Sequence, residues 1–329
     1  MRAYIIRRLL LMIPTAFLIS VMLFLLMRLV PGDMIDVMIA QLAESADQIE
    51  LDREELEKRL GLDAPLIVQY GRFLGVAPNL DGQFSGVLQG DFGTSWRERL
   101  TVTELLFKKI PVTMELGLMG LVIAQLIAIP IGVYSALRQD TWGDYVGRSF
   151  AILSISVPGF WLATLVIVYP SIWWGYMPSI WLIKFADDPM GNIKMFLVPA
   201  VVLALAMAGG TMRMTRTMTL EVIRNDYIRT AWAKGLAEAL VVSRHALKNA
   251  FIPVITIVGL QIPILIGGTV IIEQIFMLPG MGRLIVESLL VRDYPVVMGI
   301  MLFFSIGLMV INLVVDLTYG FLDPRIRAS

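Results

Sequence analysis

Long apolar runs alternate with charged segments along this chain, and each run has the length of a membrane helix. A bilayer core of about 30 Å needs about 20 apolar residues in helical conformation. Six charge-free runs approach or exceed that length, at residues 9–27, 116–137, 149–183, 195–212, 249–272 and 294–315. The pattern therefore predicts an all-α membrane protein with six transmembrane helices.

The third run is longer than one span needs. Its outer part is rich in tryptophan and tyrosine, which favour the membrane–water interface. We expect the span to use the first part of residues 149–183 and the aromatic part to lie at the interface. Several spans also contain proline, including Pro158 and Pro199. Ordinary helix kinks are the expected result.

Basic residues are concentrated in four of the segments that flank the spans. Lysine and arginine in short loops mark the cytoplasmic side. Six spans place these four segments on one side, so we expect both termini to be cytoplasmic. The residues are Arg2, Arg7 and Arg8; Arg138 and Arg148; Arg213, Arg216, Arg224, Arg229, Lys234, Arg244 and Lys248; and Arg325 and Arg327.

The same pattern divides the chain into three parts. Residues 1–30 hold the N-terminal segment and an uncleaved first span, residues 31–100 form an extracytoplasmic subdomain, and residues 101–329 hold spans two to six with a cytoplasmic loop at about 220–250. The subdomain has 13 acidic and 6 basic residues. Within it, residues 52–61 predict a charged helix closed by a C-terminal glycine. Two interpretations stay open for the subdomain: a solvated cap, or a surface that receives a partner.

Composition supports a membrane protein and limits the kinds of metal and ligand sites that the chain can form. Of the 329 residues, 57% are hydrophobic and 16% are charged, against about a quarter charged in soluble proteins. The chain has no cysteine and one histidine, His245, which excludes thiolate and histidine-cluster metal sites. A formal net charge of zero gives no basic excess for nucleic acid. No G-x-x-x-x-G-K-[ST] phosphate loop occurs, so we expect no cofactor in this chain.

Ionisable residues are absent from the middle of the apolar runs. Glu115 and Glu273 stand at span ends, where we expect them to snorkel to the interface. Gln125, Gln261 and Asn312 lie within spans, and we expect them to hydrogen-bond between helices. An ion-coupled carrier would need buried ionisable groups, so the sequence argues against that class.

Residues 225–253 are polar, basic and helical in pattern, although they lie between apolar runs. On a helix one apolar stripe follows the spacing i, i+3, i+4, i+7 and i+8, formed by Ile228, Ala231, Trp232, Gly235 and Leu236. Arg229 and Lys234 flank it. Gly235 weakens a helix, so we expect two short helices that meet near it. Docking into a groove of a cytoplasmic protein and binding flat on the lipid surface both fit the stripe.

This loop resembles the cytoplasmic loop of ATP-binding-cassette (ABC) importer permeases, whose consensus is E-A-A-x-x-x-G-x9-I-x-L-P. Residues 229–231 (Arg-Thr-Ala) stand at E-A-A, and Gly235 stands at the glycine. Only Ala231, Gly235 and Leu247 match the general consensus. The departures, R-T-A-x-A-K-G-L followed by R-H-A-L-x-N-A-x-I-P-V, are similar to one branch, the B-type subunit of peptide and nickel importers.

The resemblance extends over nearly the whole chain. Six further segments are typical of the same branch, in the same order, as is the long outer segment after the first span. They are residues 4–8, 28–33, 60–65, 90–93, 271–282 and 322–325.

The resemblance implies the type I ABC importer permease fold and a coupling helix that sits in a cleft of a separate ATPase. Thr230, Ala231, Lys234, Gly235 and Leu236 would form the contact, and Arg229 would be its polar anchor. A second homologous permease would complete a heterodimer in a bacterial inner membrane. Two ATPase subunits would bind ATP and magnesium.

An extracytoplasmic binding protein would deliver the solute, a di- or oligopeptide. A nickel or other small-solute importer is the alternative within the family. Two other classes stay as competitors: an ion-coupled carrier that works alone, and a membrane scaffold with a lipid-binding basic helix.

Overall fold

The structure, a computed structural model, describes residues 2–29, 53–59, 61–179 and 181–322. Its α-helices are α1 (Arg2–Leu29), α2 (Arg53–Arg59), α3 (Leu66–Leu74), α4 (Val102–Leu137), α5 (Trp142–Ser156), α6 (Gly159–Trp174), α7 (Pro189–Ile223), α8 (Asp226–Ala233), α9 (Glu238–Leu240), α10 (Leu247–Ile275), α11 (Met281–Leu290) and α12 (Tyr294–Leu322). A π-helix, Val241–Ala246, joins α9 to α10. Most of the predicted motif at 28–33, and the C-terminal residues 323–329 with their two arginines, lie outside the described residues.

Five helical segments are long and apolar enough to cross a membrane, in agreement with five of the predicted spans. They are α1, α4, α7, the continuous stretch from α9 into α10, and α12. The all-α prediction is confirmed for the part of the chain that the structure describes.

The third predicted span is not one straight helix. Helices α5 and α6 meet at an angle of 96°, and the break contains Val157 and Pro158. A proline disfavours helical geometry in the residue before it, and Val157 is extended (φ −82°, ψ 119°). Counted as one crossing, the pair brings the number of spans to six.

The fourth span is longer than predicted. Asp188 caps α7 by accepting a hydrogen bond from the backbone N–H of Gly191 at 3.0 Å, and Pro189 occupies the first turn, where its missing N–H costs nothing. The helix then continues past residue 212 to Ile223. Arg213 and Arg216, which the sequence placed in the loop, are therefore helical.

The chain divides into two compact units. The core unit comprises Val112–Arg283 and Val310–Ser329. Its hydrophobic core centres on α7, which buries the small residues Ala200, Ala204 and Ala208 completely. At Gly209 an added Cβ would lie 2.6 Å from the backbone oxygen of Ala151, so α7 and α5 approach each other closely there.

The N-terminal unit comprises Arg2–Pro111 and Leu284–Met309. Helix α3 packs on α1 through Tyr70, whose hydroxyl lies 2.8 Å from Ser20 Oγ.

Helix α2 ends as predicted, at Gly61 with φ +65°. The backbone N–H of Leu62 reaches the carbonyl of Glu57 at 2.8 Å, which satisfies an otherwise free helix terminus. The predicted domain limits at residues 30 and 100 stay predictions.

Candidate functional site

The loop between α7 and α10 consists of two short helices that meet near a glycine. Helix α8 ends at Ala233, and Gly235 follows with φ +74°. Ala237 then returns to extended geometry before α9. A positive φ favours glycine because it has no Cβ. The predicted helix break at Gly235 is confirmed.

The apolar stripe of α8 faces the loop itself rather than a partner. Ile228 and Ala231 are buried and pack with Val241 and Ala246 of the π-helix, and Leu236 packs against this cluster. An isolated helix of eight residues is unstable in water, so α8 needs these contacts to stay folded. Ile228 and Ala231 therefore face the loop's own core in this structure, and the predicted contacts of Ala231 and Leu236 with an ATPase stay predictions.

The opposite side of the loop is exposed and combines aromatic and basic side chains. We call it the coupling face, formed by Tyr227, Arg229, Thr230, Trp232, Lys234 and Gly235, all exposed. Trp232 belongs to the predicted apolar stripe but is not buried with it, since the residue is 42% exposed. Periodicity did not single out Tyr227, which is 43% exposed.

Arg229 and Thr230 of the coupling face have partners within α8. Arg229 Nη1 lies 3.4 Å from Asp226 Oδ1, and both side chains are highly exposed, so the pair contributes little to stability. The hydroxyl of Thr230 donates to the backbone oxygen of Asp226 at 3.0 Å. The guanidinium of Arg229 remains available because an exposed pair breaks easily.

Polar contacts tie the loop to the helices around it. Arg138 Nη1, just after α4, lies 3.1 Å from Glu238 Oε1. The side chain of Asn249, in the first turn of α10, donates to the hydroxyl of Tyr227 at 2.8 Å. The loop therefore has contacts with elements before and after it in the chain, besides its own small core.

A π-helix connects this loop to α10. In Val241–Ala246 the backbone has one extra residue per turn, a feature often found at functional sites. Val241, Val242 and Ala246 are buried there. The fifth span thus begins directly in the loop core.

The glycine-rich motif after α10 encloses a buried carboxylate. Glu273 is completely buried, and its Oε2 accepts the backbone N–H of Arg283 at 3.1 Å. A Cβ on Gly280 would lie 2.4 Å from Glu273 Cδ, and one on Gly282 would lie 2.5 Å from Val270 Cα. The expectation that Glu273 snorkels to the interface is wrong, because its carboxylate is buried and accepts the backbone N–H of Arg283 in the first turn of α11.

Two glutamines join the helices of the core unit. Gln125 Nε2 donates to Gln261 Oε1 at 3.2 Å. Gln261 Nε2 in turn reaches the backbone oxygen of Met207 at 3.1 Å and Thr211 Oγ1 at 2.9 Å. The interpretation of Gln125 and Gln261 as contacts between helices is confirmed. Asn312 is exposed.

A buried ion pair that sequence reasoning missed links α5 to α7. Arg216 Nε lies 2.7 Å from Asp144 Oδ1, and Arg216 Nη2 lies 2.8 Å from Asp144 Oδ2. Asp144 is completely buried. Two parallel hydrogen bonds of this kind fix orientation as well as adding energy.

The described residues form a helical protein with several candidate membrane spans. Among them no group of three or more His, Asp and Glu lies close enough to hold a metal ion. The features that stand out are several helices long and apolar enough to cross a membrane and one folded, exposed loop, which together define an integral membrane protein.

Comparison with known proteins identifies the family. Residues 128–328 match the binding-protein-dependent transport system inner membrane component, and residues 1–117 match the N-terminal domain of such membrane components. The chain belongs to this family, the permeases of ABC importers. It is therefore a multi-pass inner-membrane permease of a system that uses an ATPase and a binding protein. The resemblance to ABC importer permeases that the sequence motifs indicated is confirmed.

Individual relatives are similar over their full length. A Brucella abortus (strain 2308) protein, provisionally named a peptide transport system permease protein, is 40% identical over 327 residues, covering 99% of each chain. The oligopeptide transport system permease protein AppB of Bacillus subtilis (strain 168) is 39% identical, over 99% of this chain and all of its own. The glutathione transport system permease protein GsiC of Salmonella paratyphi A is 38% identical, over 98% of each chain.

Proposed function

We propose that this chain forms half of the translocation pathway of an ATP-driven peptide importer and that a separate ATPase holds it by the coupling face. The observation that carries the proposal is the orientation of the loop. Its apolar stripe is used internally, so the fold does not need a partner to bury it. The exposed aromatic and basic side chains around Gly235 stay available for contact, and aromatic residues and arginine are enriched in protein interfaces.

The loop is built to transmit a displacement. Helix α8 follows α7 after two residues, and the π-helix runs directly into α10. Helices α7 and α10 also contact each other through Gln261, whose side chain donates to the backbone of Met207 at 3.1 Å. A force on the coupling face would therefore act on the ends of two packed spans at once.

ATP and magnesium bind to the partner ATPases in this proposal, and this chain holds no cofactor. Binding of ATP changes the permease only if it favours one state of the ATPase pair over the other. The loop then acts as a mechanical link between that change and the spans.

The complete assembly has four further subunits: a second homologous permease that completes a heterodimer, two ABC ATPases, and an extracytoplasmic solute-binding protein. The bent pair of α5 and α6 counts as one crossing, which gives six spans and two cytoplasmic termini. The basic segments that flank the spans support this orientation.

Peptides are the proposed solutes because the relatives are named for them. One is named for oligopeptides and another for glutathione, itself a tripeptide. A di- or oligopeptide is therefore the solute to test first, with nickel or another small solute as the alternative outcome.

Reconstitution tests the function. The permease pair, its ATPases and its binding protein are placed in proteoliposomes, and uptake of labelled di-, tri- and pentapeptides is measured beside uptake of nickel. We expect peptide uptake that requires ATP, the ATPases and the binding protein together. Uptake by this chain without an ATPase would refute the proposal, and uptake of nickel alone would refute the peptide assignment.

A further inference from the structure

A small pocket opens between α4, α5 and α7 in the core unit. Its volume is about 240 Å³. Polar lining comes from Ser135 at the end of α4, Arg148 on α5, and Arg213 and Arg216 on α7. Three guanidinium groups thus meet at one pocket, near the end of the spans that carries the loop.

The positive charge of this pocket is only partly neutralised. Asp144 binds Arg216 through both oxygens and lies 3.5 Å from Arg148 Nη2. Asp140 approaches the same arginine only to 4.0 Å. Arg213 has no hydrogen bond or ion pair from its side chain within the described residues. Two carboxylates therefore face three cations, and the unmatched charge is on Arg213.

Two buried polar atoms at the pocket have no partner in the described structure. They are Ser135 Oγ and Arg148 Nε, and Ser135 is only 1% exposed. A buried donor without an acceptor costs about 1–3 kcal/mol. Both atoms belong to residues that line the pocket, so hydrogen-bond acceptors are the groups that this site lacks.

The other wall of the pocket is apolar and faces outward. Ile152 and Ile155 follow Arg148 at i+4 and i+7, which places the three on one face of α5. They are 63% and 50% exposed. Met212 lines the pocket from α7. A cationic end thus adjoins an exposed apolar surface on membrane helices.

We propose that this pocket binds the phosphate of an anionic phospholipid. Arg148, Arg213 and the hydroxyl of Ser135 would donate to the phosphate oxygens, and an acyl chain would lie along Ile152 and Ile155. Basic pockets between membrane helices bind lipid head groups in this way. The occupied site would adjoin the turn after α4, whose Arg138 holds Glu238 of the loop.

The test measures lipid binding and does not depend on transport. The full-length chain is delipidated in detergent and titrated with phosphatidylglycerol or phosphatidylcholine, and native mass spectrometry counts the bound lipids. Arg213→Gln removes one cation and should weaken phosphatidylglycerol binding about fivefold. Ser135→Ala removes a donor without a change of charge and should weaken binding about two- to tenfold.

Arg224→Gln is the matched control, because Arg224 immediately follows α7 and does not line the pocket. We expect less than a twofold effect from it, unchanged thermal unfolding in Arg213→Gln and Arg224→Gln, and no loss of thermal stability in Ser135→Ala, which removes an unpartnered buried hydroxyl. Equal losses in Arg213→Gln and Arg224→Gln, or no preference for phosphatidylglycerol over phosphatidylcholine, would overturn the proposal.

Two further arms distinguish the source of the phosphate. Inorganic phosphate that displaces phosphatidylglycerol at equal concentration would show a soluble-anion site instead. The same titration is repeated on the assembled importer. If assembly abolishes lipid binding in the pocket, a partner subunit occupies the site and the proposal fails; retained binding supports it.

Discussion

Gly235 offers the sharpest test of the coupling face, because its substitution hardly affects the chain itself. An added Cβ there meets no atom within 4 Å, and φ is +74°. A leucine at this position should cost about 1–2 kcal/mol of backbone strain, and its Cβ meets no atom of the subunit within 4 Å. A larger effect than that of glycines with the same backbone geometry would indicate a contact with another molecule.

Gly82 is a closely matched control for this substitution. It has the same φ of +74°, and an added Cβ there also meets no atom within 4 Å. Gly175, with φ +65° and open space around it, is a second control. Gly82→Leu and Gly175→Leu should therefore carry a similar strain without touching the loop.

The expected loss follows from overpacking an interface. Forcing extra methyl and methylene groups into a packed contact costs about 1–3 kcal/mol, which weakens binding roughly 5-fold to more than 100-fold. The assay measures the affinity of the purified ATPase for the permease in nanodiscs, together with thermal unfolding. Gly235→Leu should lose affinity while both controls keep it. Equal affinity for all three variants would refute the contact at Gly235.

Two predictions concern the structure that supports the loop. Gly280→Ala would place a Cβ 2.4 Å from the buried Glu273 carboxyl group and should destabilise the chain by about 1–3 kcal/mol. Gly267→Ala is the control, because a Cβ there has no neighbour within 4 Å, and it should not destabilise the chain. Equal thermal stability of the two variants would contradict this packing. Asp144→Ala would strand Arg216 and cost about 3–5 kcal/mol. The double variant with Arg216→Ala should recover much of that loss, and a double variant as unstable as Asp144→Ala would show that the ion pair is not the cause.

The helices were predictable because the bilayer imposes a simple requirement. A span must be long, apolar and internally hydrogen-bonded, so charge-free runs identify it. The break at Gly235 and the helix end at Gly61 were also predictable, since a glycine after a helical run marks a backbone with positive φ.

The broken third span could not be predicted from its proline. Pro199, Pro253 and Pro263 lie inside continuous helices, whereas Pro158 lies in the break. Whether a helix tolerates proline depends on neighbours that satisfy the freed carbonyl. Those neighbours come from elsewhere in the fold.

The orientation of the loop was missed for a related reason. Periodicity shows that Ile228 and Ala231 share an apolar face, but it does not show what covers that face. The covering residues, Val241 and Ala246, follow in a π-helix whose register differs from the α-helical period. The Asp144–Arg216 pair joins residues 72 positions apart, which no local pattern reveals.

The most direct measurement of the coupling face uses the absence of cysteine from this chain. Lys234→Cys places a single thiol on that face, and Gln83→Cys places one on an exposed position of the N-terminal unit. Maleimide labelling rates are measured for the permease alone and for the assembled importer. We predict that the ATPase slows labelling at position 234 at least tenfold and leaves position 83 unchanged. Equal labelling at position 234 with and without the ATPase would contradict the proposed coupling.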